Sequence, residues 1–599
     1  MFAAVRWLIA CVAAVLSVQV LAEELSLANV RFEVGREGEY VVAPVPVSLT
    51  GMASSVGAGW SICPIADTDG VTVCEIAWKA ASDSAVPSVA TLTFDIPVGD
   101  IAGLWEPVNH LWTPFAEGEA SKFCHSTPIR SWFADGDQNR LTLAWTECVR
   151  TVAFSPRVVI EEPGAFSYRV RLSFFTEADV PLTEWKTRIR FDRRARDWSA
   201  CVQDAAKWVA AETQSEGELP PSAAFDPIYS TWYAFGNVLD ASTLEAECVR
   251  AAALGMKTLI TDDGWQTTHG DWDPVPAHFP DMRGHVERVH ALGMKYVLWY
   301  SISFMNEKSR HYEGFKGKYL MDGTLWGQRL AIFDPRFPEV RRFIINQLAE
   351  RLEKWNLDGY KIDFIDFFRP FGEDPAEKDG YAGRDYKSIP EAAHALLAEV
   401  SARLREIRPD ILLEFRQPYI GPVTAKYGNM LRANDCPGDA LANRVRTTDV
   451  RLTSGHAVVH SDMLRWTPSD DPTAAARSIL SVIFTTVQYS MVLDTIPDAQ
   501  KKVIAKWIQF AAKHRKALQN GGFRAYNPAA NYPLLEGWSD EERIFAVYDP
   551  QTVVPVKDST RRIIIINATP AKRVLVEDTA GVRSLAIAPY EAVELPRGK

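Results

Sequence analysis

The spacing of hydrophobic and polar positions divides the chain into three stretches. From Leu25 to about Asp197 apolar and polar residues alternate in short runs. Tyr40–Leu49, Val89–Ile96, Leu141–Ala144 and Phe166–Phe174 are examples, and turn residues such as Asp135-Gly136-Asp137 separate them. A period of two predicts half-buried strands, and many short strands between turns predict a β-sandwich. Trp198–Glu212 reads as a helix, and a polar linker follows at Thr213–Ser222.

From Phe225 strand and helix signals take turns. Ile228–Ala234 is strand-like, Ser242–Leu254 is an amphipathic helix stopped by Gly255, and Lys257–Thr261 is a strand. Met282–Leu292 is a helix ended by Gly293, and Tyr296–Tyr300 is the next strand. Ala253-Leu254-Gly255-Met256-Lys257 recurs 38 residues later as Ala291-Leu292-Gly293-Met294-Lys295, the spacing of one βα unit. Helices at Pro338–Trp355 and Pro390–Ile407 feed strands at Gly359–Phe364 and Ile411–Phe415. Further strands are expected near Met430–Ala433, Ala457–His460 and Met491–Asp494, with helices at Thr473–Thr486 and Ala499–His514. Eight strand candidates alternating with helices predict a (β/α)8 TIM barrel. A doubly wound sheet is the rival, but no glycine-rich dinucleotide turn is present. Short strands return from Gly521, including Arg561–Ile566 and Val574–Val576, and predict a small C-terminal β-sandwich. The expected division is a signal peptide over 1–22, an N-terminal β-sandwich over 23–200, the barrel over 220–518 and the C-terminal β-sandwich over 519–599.

Composition narrows the functional classes. A net charge of −11 argues against nucleic acid as a partner. The 19 tryptophans suit a cleft that stacks sugar rings, and suit large cores as well. Arg6, the apolar run Leu8–Val20 and Val20-Leu21-Ala22 before Glu23 read as a cleaved export signal, which implies a periplasmic or secreted protein with no membrane attachment after cleavage; an uncleaved anchor is the rival. In an oxidising compartment Cys63 with Cys74, and Cys124 with Cys148, are candidates for pairing. The cysteine spacing fits no zinc framework, and the sequence implies neither metal nor cofactor.

The chemistry gathers where barrel strands end. Asp358–Phe368 reads D-G-Y-K-I-D-F-I-D-F-F, an apolar run with charges inside it. Alternation along a strand puts Lys361 and Asp363 on one face and Ile362 on the other. A neighbouring cation keeps a carboxylate ionised, which a glycosidase nucleophile requires. Other strand ends carry Trp232-Tyr233, Asp262-Asp263-Gly264-Trp265, Trp299-Tyr300, Glu414-Phe415-Arg416-Gln417, Asn434-Asp435-Cys436-Pro437-Gly438-Asp439, His460-Ser461-Asp462 and Asp494. A single aspartate at such a place is usually a helix N-cap. Carboxylates on most of the strands, with tryptophans between them, suit a polyhydroxylated ligand.

The Asp-Asp-Gly-Trp at 262–265, the Lys-x-Asp at 361–363 and the aspartate-rich turn at 435–439, in that order, resemble clan D of the retaining α-glycosidases, above all glycoside hydrolase family 36, the α-galactosidase family. The likeness covers about Phe225–Thr495, and the flanking β-domains fit the same architecture. It implies hydrolysis of terminal α-galactosyl-type residues of oligo- or polysaccharides by double displacement, with Asp363 as nucleophile and Asp435 as acid/base. Asp439 competes for the second role because this turn is one residue longer than the family's; its other reading is an N-cap. The resemblance makes Asp262, Asp263 and Lys361 hydroxyl-binding residues and implies self-association. Trp232, Trp265 and Trp299 are candidate ring platforms, or ordinary packing. Strand five departs from the family, which has a cysteine and a glycine run there. Arg416 in their place either meets a modified or anionic sugar, or pairs with Glu414 or Asp363. Two other classes stay open: a sugar-binding protein without turnover, and a metal-dependent carbohydrate deacetylase built from Asp262, Asp263, His269, His278, His285 and His290.

Overall fold

The computed structural model describes residues 28–35, 54–57, 59–99, 101–107, 118, 120–123, 127–162, 165–177, 180–556 and 561–596. The expected export signal, the expected strand Tyr40–Leu49 and Cys124 lie outside them. Two antiparallel sheets form the N-terminal sandwich. One has four strands, Ala28–Val34, Ala90–Pro97, Ala165–Phe174 and Val152–Glu162 in spatial order, and the other has seven. Phe32, Trp60, Leu92, Phe94, Leu143 and Phe191 fill the space between them. Cys63 lies opposite Glu75, and Cys74 opposite Pro64, so their side chains leave opposite faces of the sheet. Both remain free thiols, against the expected pairing.

The barrel consists of β1 (Ile228–Ser230), β2 (Thr258–Thr261), β3 (Lys295–Ser301), β4 (Gly359–Asp363), β5 (Leu412–Arg416), β6 (Met430–Arg432), β7 (Val458–His460) and β8 (Gln488–Tyr489), all parallel to their neighbours. The ring closes where Thr486 N–H donates to Val459 O (2.9 Å) and Leu464 N–H to Gln488 O (2.8 Å). The outer helices are α1 (Ala241–Leu254), α2 (Met282–Ala291), α3 (Pro338–Trp355), α4 (Ile389–Ile407), α5 (Pro422–Ala425), α6 (Ala440–Thr453), α7 (Pro472–Ser481) and α8 (Asp498–Lys513).

Local chemistry sets the helix ends. Asp240 accepts the Thr243 N–H (2.9 Å) and starts α1. Gly255 ends it at φ 102°, a left-handed conformation that costs glycine little, and Gly293 plays the same part after α2 at φ 74°. The repeated Leu-Gly-Met-Lys therefore feeds two neighbouring strands, joined where Lys295 N–H donates to Lys257 O (2.8 Å).

Three expectations need correction. The last strand is Gln488–Tyr489, not Met491–Asp494, so Asp494 ends no strand and instead pairs on the surface with Arg250 (2.6 Å). The predicted strand Ile228–Ala234 stops at Ser230, and Trp232–Phe235 turns into a short helix. Between β3 and α3 the chain also builds an antiparallel sheet from Phe304–Asn306, Tyr319–Leu325 and Gln328–Phe333, where the sequence reading placed no strand.

Ile228, Ile260, Val297, Leu412, Met430 and Val458 form an apolar layer inside the barrel, closed by Ala224. Beside it, the buried Glu414 takes hydrogen bonds from Gln488 (2.6 Å) and shares one with His460 (2.8 Å). The C-terminal domain is a five-stranded sheet and a three-stranded sheet around Phe545, Val547, Ile565 and Val576. All three parts of the chain meet at Asp449 of α6. Its carboxylate accepts from Trp105 of the sandwich (2.9 Å) and from Tyr532 of the C-terminal domain (2.5 Å), and all three side chains are buried.

Candidate active site

Asp363 is the last residue of β4 and is buried at the C-terminal end of the barrel, the face on which barrels of this kind carry their chemistry. Its two oxygens are treated unequally. Oδ1 accepts the Phe364 N–H (2.8 Å), the Tyr419 hydroxyl (2.7 Å) and the Arg416 Nε–H (3.1 Å). Among the described residues Oδ2 accepts from the Trp299 indole N–H alone (3.0 Å). Phe364 reaches this position in the left-handed region, at φ 61°, which is strained for a residue with a bulky side chain. Burial by itself would push the Asp363 carboxyl up. Arg416, then Lys361, then the donors Trp299 and Tyr419 outweigh it and hold the group far below the usual carboxylate range. The Arg416 guanidinium shifts reciprocally upward.

Lys361 and Asp363 share the inward face of β4, and the Lys361 ammonium donates to Asp262 Oδ2 (2.5 Å). Asp262 also accepts the Asp263 N–H (3.0 Å); burial keeps its carboxyl above the usual value even though Lys361 pulls it down. Asp263 is half-buried and takes Gln266 (2.5 Å) and Asn237 (3.2 Å). Gly264 in this turn stands at φ 114°, and a Cβ there would come within 2.6 Å of Asn237 Cα, so the turn requires glycine.

Asp435 is half-exposed beyond β6. Arg432 donates to its Oδ1 (2.8 Å). Burial acts upward on its carboxyl, but Arg432, then Arg416 and Lys361, bring it below the usual range. Arg432 is itself buried and also contacts Asp462, which accepts the Cys436 N–H (2.7 Å) and the Tyr233 hydroxyl (3.0 Å). Asp439 is exposed and caps α6, its side chain accepting the Ala442 N–H (2.9 Å).

The tryptophans part company. Trp232 is half-buried and keeps an open side. Trp299 is 2% exposed and spends its indole on Asp363. Trp265 is fully buried against Trp272 and Trp355 and donates to Trp299 O (3.0 Å). It offers no ring face to a ligand, a correction to its expected part as a platform; its contact steadies Trp299 instead. The histidines of the deacetylase reading are dispersed: His285 pairs with Glu245 (2.8 Å) and His290 with Asp358 (2.7 Å), both on the outer helix α2. Among the described residues no three His, Cys, Asp or Glu side chains are grouped so as to hold a metal.

Sequence reasoning missed three residues. Tyr419 lies in the loop after β5, where nothing marked it. Asp366 lies in plain view within the Asp358–Phe368 run. It sits in the Ile365–Phe367 turn with Oδ1 buried and without a hydrogen-bond partner among the described residues, and burial first, then Asp363, push its carboxyl up against the pull of Arg416. Trp326 sits at a hairpin tip that was not expected.

Residues 217–448 match the family model described as the glycosyl hydrolases family 31 TIM-barrel domain. A probable alpha-galactosidase G of Emericella nidulans is 28% identical over 157 residues, 23% of this chain and 22% of the relative. The A type blood alpha-D-galactosamine galactosaminidase of Flavonifractor plautii is 26% identical over 166 residues, 25% of this chain and 15% of the relative. The matched stretches thus span about a fifth of the length of these curated relatives. Solved structures extend the likeness to the flanking domains. The GH36 alpha-galactosidase AgaA of Geobacillus stearothermophilus superposes with a TM-score of 0.58 at 13% identity, covering 96% of this chain and 85% of its own. The galactosidase domain of the alpha-galactosidase-sucrose kinase AgaSK gives 0.59 at 16%, covering 95% and 85%. The chain has the three-domain fold of the clan D α-glycosidases, with the arrangement seen in GH36 α-galactosidases.

Proposed function

We propose that the protein is a retaining α-glycoside hydrolase that removes terminal α-galactosyl-type residues from oligo- or polysaccharides. The observation that carries this reading is Asp363, a buried carboxylate kept ionised by four donors and two cations at the end of β4. Such a group is dry, fixed and charged, the state required to attack an anomeric carbon. The donor count selects the oxygen. Attack through Oδ1 would weaken three hydrogen bonds, attack through Oδ2 only the one from Trp299. Oδ2 is therefore the nucleophilic atom.

Asp435 is the acid/base in this reading. Its ionised form, resting on Arg432, suits the second half-reaction, in which it takes a proton from the attacking water. In the first half it must carry a proton, which the contact with Arg432 opposes. The acid form is generated when substrate excludes water and draws Asp435 off Arg432. Asp439 is already engaged as the cap of α6 and points its carboxylate at a backbone amide. Asp262, Asp263 and Lys361 form a rigid polar floor that takes sugar hydroxyls, and the export signal puts the enzyme outside the cytoplasm.

The test is a fluorinated α-galactoside inactivator followed by peptide mapping. A covalent label on Asp363 is expected. A label on another carboxylate, or an active enzyme that takes no label, refutes the assignment.

A further inference from the structure

Burial separates Trp326 from the other described tryptophans. It is 63% exposed, and among the described residues it is the only tryptophan in the set of large hydrophobic side chains that stand out in solvent. It occupies the tip of the hairpin formed by Tyr319–Leu325 and Gln328–Phe333, the insertion between β3 and α3. Its backbone is left-handed at φ 49° and Gly327 follows at φ 76°, a tight turn that fixes where the side chain leaves the sheet. The ring is braced from beneath, with centroids 5.4 Å from Phe304, 5.4 Å from Phe364 and 5.5 Å from Phe367. Phe364 is the residue after Asp363 and also meets Trp299, at 6.2 Å. Trp326 thus stands two ring contacts from the indole that holds the Asp363 carboxylate. Phe367 in turn stacks on the exposed Phe371 at 6.1 Å, so the row of rings continues to a second exposed aromatic side chain.

An indole exposed to this degree gives up its hydrophobic stabilisation, and a strained turn holds it in place. We propose that Trp326 is the stacking platform for the leaving-group sugar of the substrate, a neutral pyranose bonded to the residue cleaved at Asp363. The proposal rests on the hydrolase reading and adds a second sugar position to it. A pyranose has one face of C–H bonds that covers an aromatic ring while its hydroxyls stay in water, so such a platform needs one open face and a rigid back. Trp326 has both. Bond breaking is unaltered: the leaving oxygen is protonated as before, and stacking holds only the departing sugar.

The experiment compares two substrates that present the same glycosyl residue, α-galactosyl fluoride, whose leaving group has no ring, and a trisaccharide with a terminal α-galactosyl unit. In Trp326→Ala the ratio of kcat/KM for trisaccharide over fluoride should fall about tenfold, chiefly through KM. Trp326→Phe, which keeps a ring, should restore most of the ratio; a merely structural role would lower both substrates together. A ratio that stays within about twofold of wild type in Trp326→Ala overturns the platform. If the wild-type protein turns over neither substrate, the hydrolase reading fails. The platform is then judged by calorimetric titration of the trisaccharide, and equal affinity in wild type and Trp326→Ala overturns it too.

Discussion

Replacing Arg416 by methionine asks whether this arginine acts on the nucleophile or on the substrate. The stem stays unbranched, and the charge is lost together with the Nε–H donor to Asp363 and the Nη1 donor to Asn434 (2.7 Å) and the Gln417 carbonyl (3.1 Å). Arg416 and Asp363 are 14% and 9% exposed at the side chain and 3.1 Å apart, so solvent screens them little. A hydrogen bond to an ionised group contributes about 1.5–3 kcal/mol. The charge pair adds at most about 5 kcal/mol at an effective dielectric near 20. Because Lys361, Trp299, Tyr419 and the Phe364 amide remain, we take a net loss of about 2–4 kcal/mol, which raises the Asp363 pKa by roughly 1.5–3 units. The direction follows from the depressed pKa: Arg416 favours the ionised form, so its loss moves the acid limb of kcat/KM upward, into an accessible range. The assay is kcat/KM for an aryl α-galactoside from roughly pH 3 to pH 8. The same shift appears in stability. A depressed carboxyl stabilises the fold above its unfolded pKa, near 3.9, and that contribution is lost as pH falls through the folded value. The gap between the unfolding midpoints of wild type and variant should therefore be larger at neutral pH and narrow in strong acid to what the lost contacts with Asn434 and Gln417 leave. An acid limb that does not move, with KM raised equally at every pH, would refute the reasoning and put Arg416 on the substrate.

Asp363→Asn should abolish turnover while circular dichroism keeps the wild-type form, since the amide fills the same space; the thermal midpoint should fall at neutral pH, because Arg416 is left buried without its counter-charge. Asp435→Ala should keep activity only on substrates with very good leaving groups and be rescued by azide; Asp439→Ala should shift stability by about 0.5–2 kcal/mol through loss of a helix cap and respond to no azide. Burial pushes the Asp449 carboxyl up to about 7. With the unfolded value near 3.9, its contribution is fully present below about pH 4, fades as pH rises to 7 and is level beyond. Asp449→Asn keeps an oxygen for Trp105 and Tyr532 and should flatten that slope, seen as a smaller difference in thermal midpoint between about pH 5 and pH 8.

Much of the barrel was readable because its signals are local. Capping aspartates, Gly255 and Gly293, and the apolar face of each helix declare themselves within a few residues. Lys361 and Asp363 were likewise visible as charges inside an apolar strand. What escaped depends on distant partners. Two residues suffice for β8 because its pairing is supplied by β1 and β7, so no run of its own marks it. Tyr419 becomes a ligand of Asp363 only through the path of the loop after β5. Trp265 and Trp326 look alike in sequence, yet one is walled in by Trp272 and Trp355 and the other stands in solvent. The choice between two outcomes for Arg416 also needed coordinates: it reaches Asp363, not Glu414.

The meeting of Trp105, Asp449 and Tyr532 bears on how the molecule comes apart. Each flanking β-domain contributes one donor to a carboxylate set in the barrel wall, and Trp198 lies flat on Tyr532, with ring planes 14° apart. Cutting away either end of the chain would uncover a carboxyl adapted to dryness and a wide aromatic surface together. The three parts are therefore not interchangeable modules on a string. On heating they should melt as one cooperative body with a single calorimetric peak, and a truncated barrel produced by itself should be prone to aggregate.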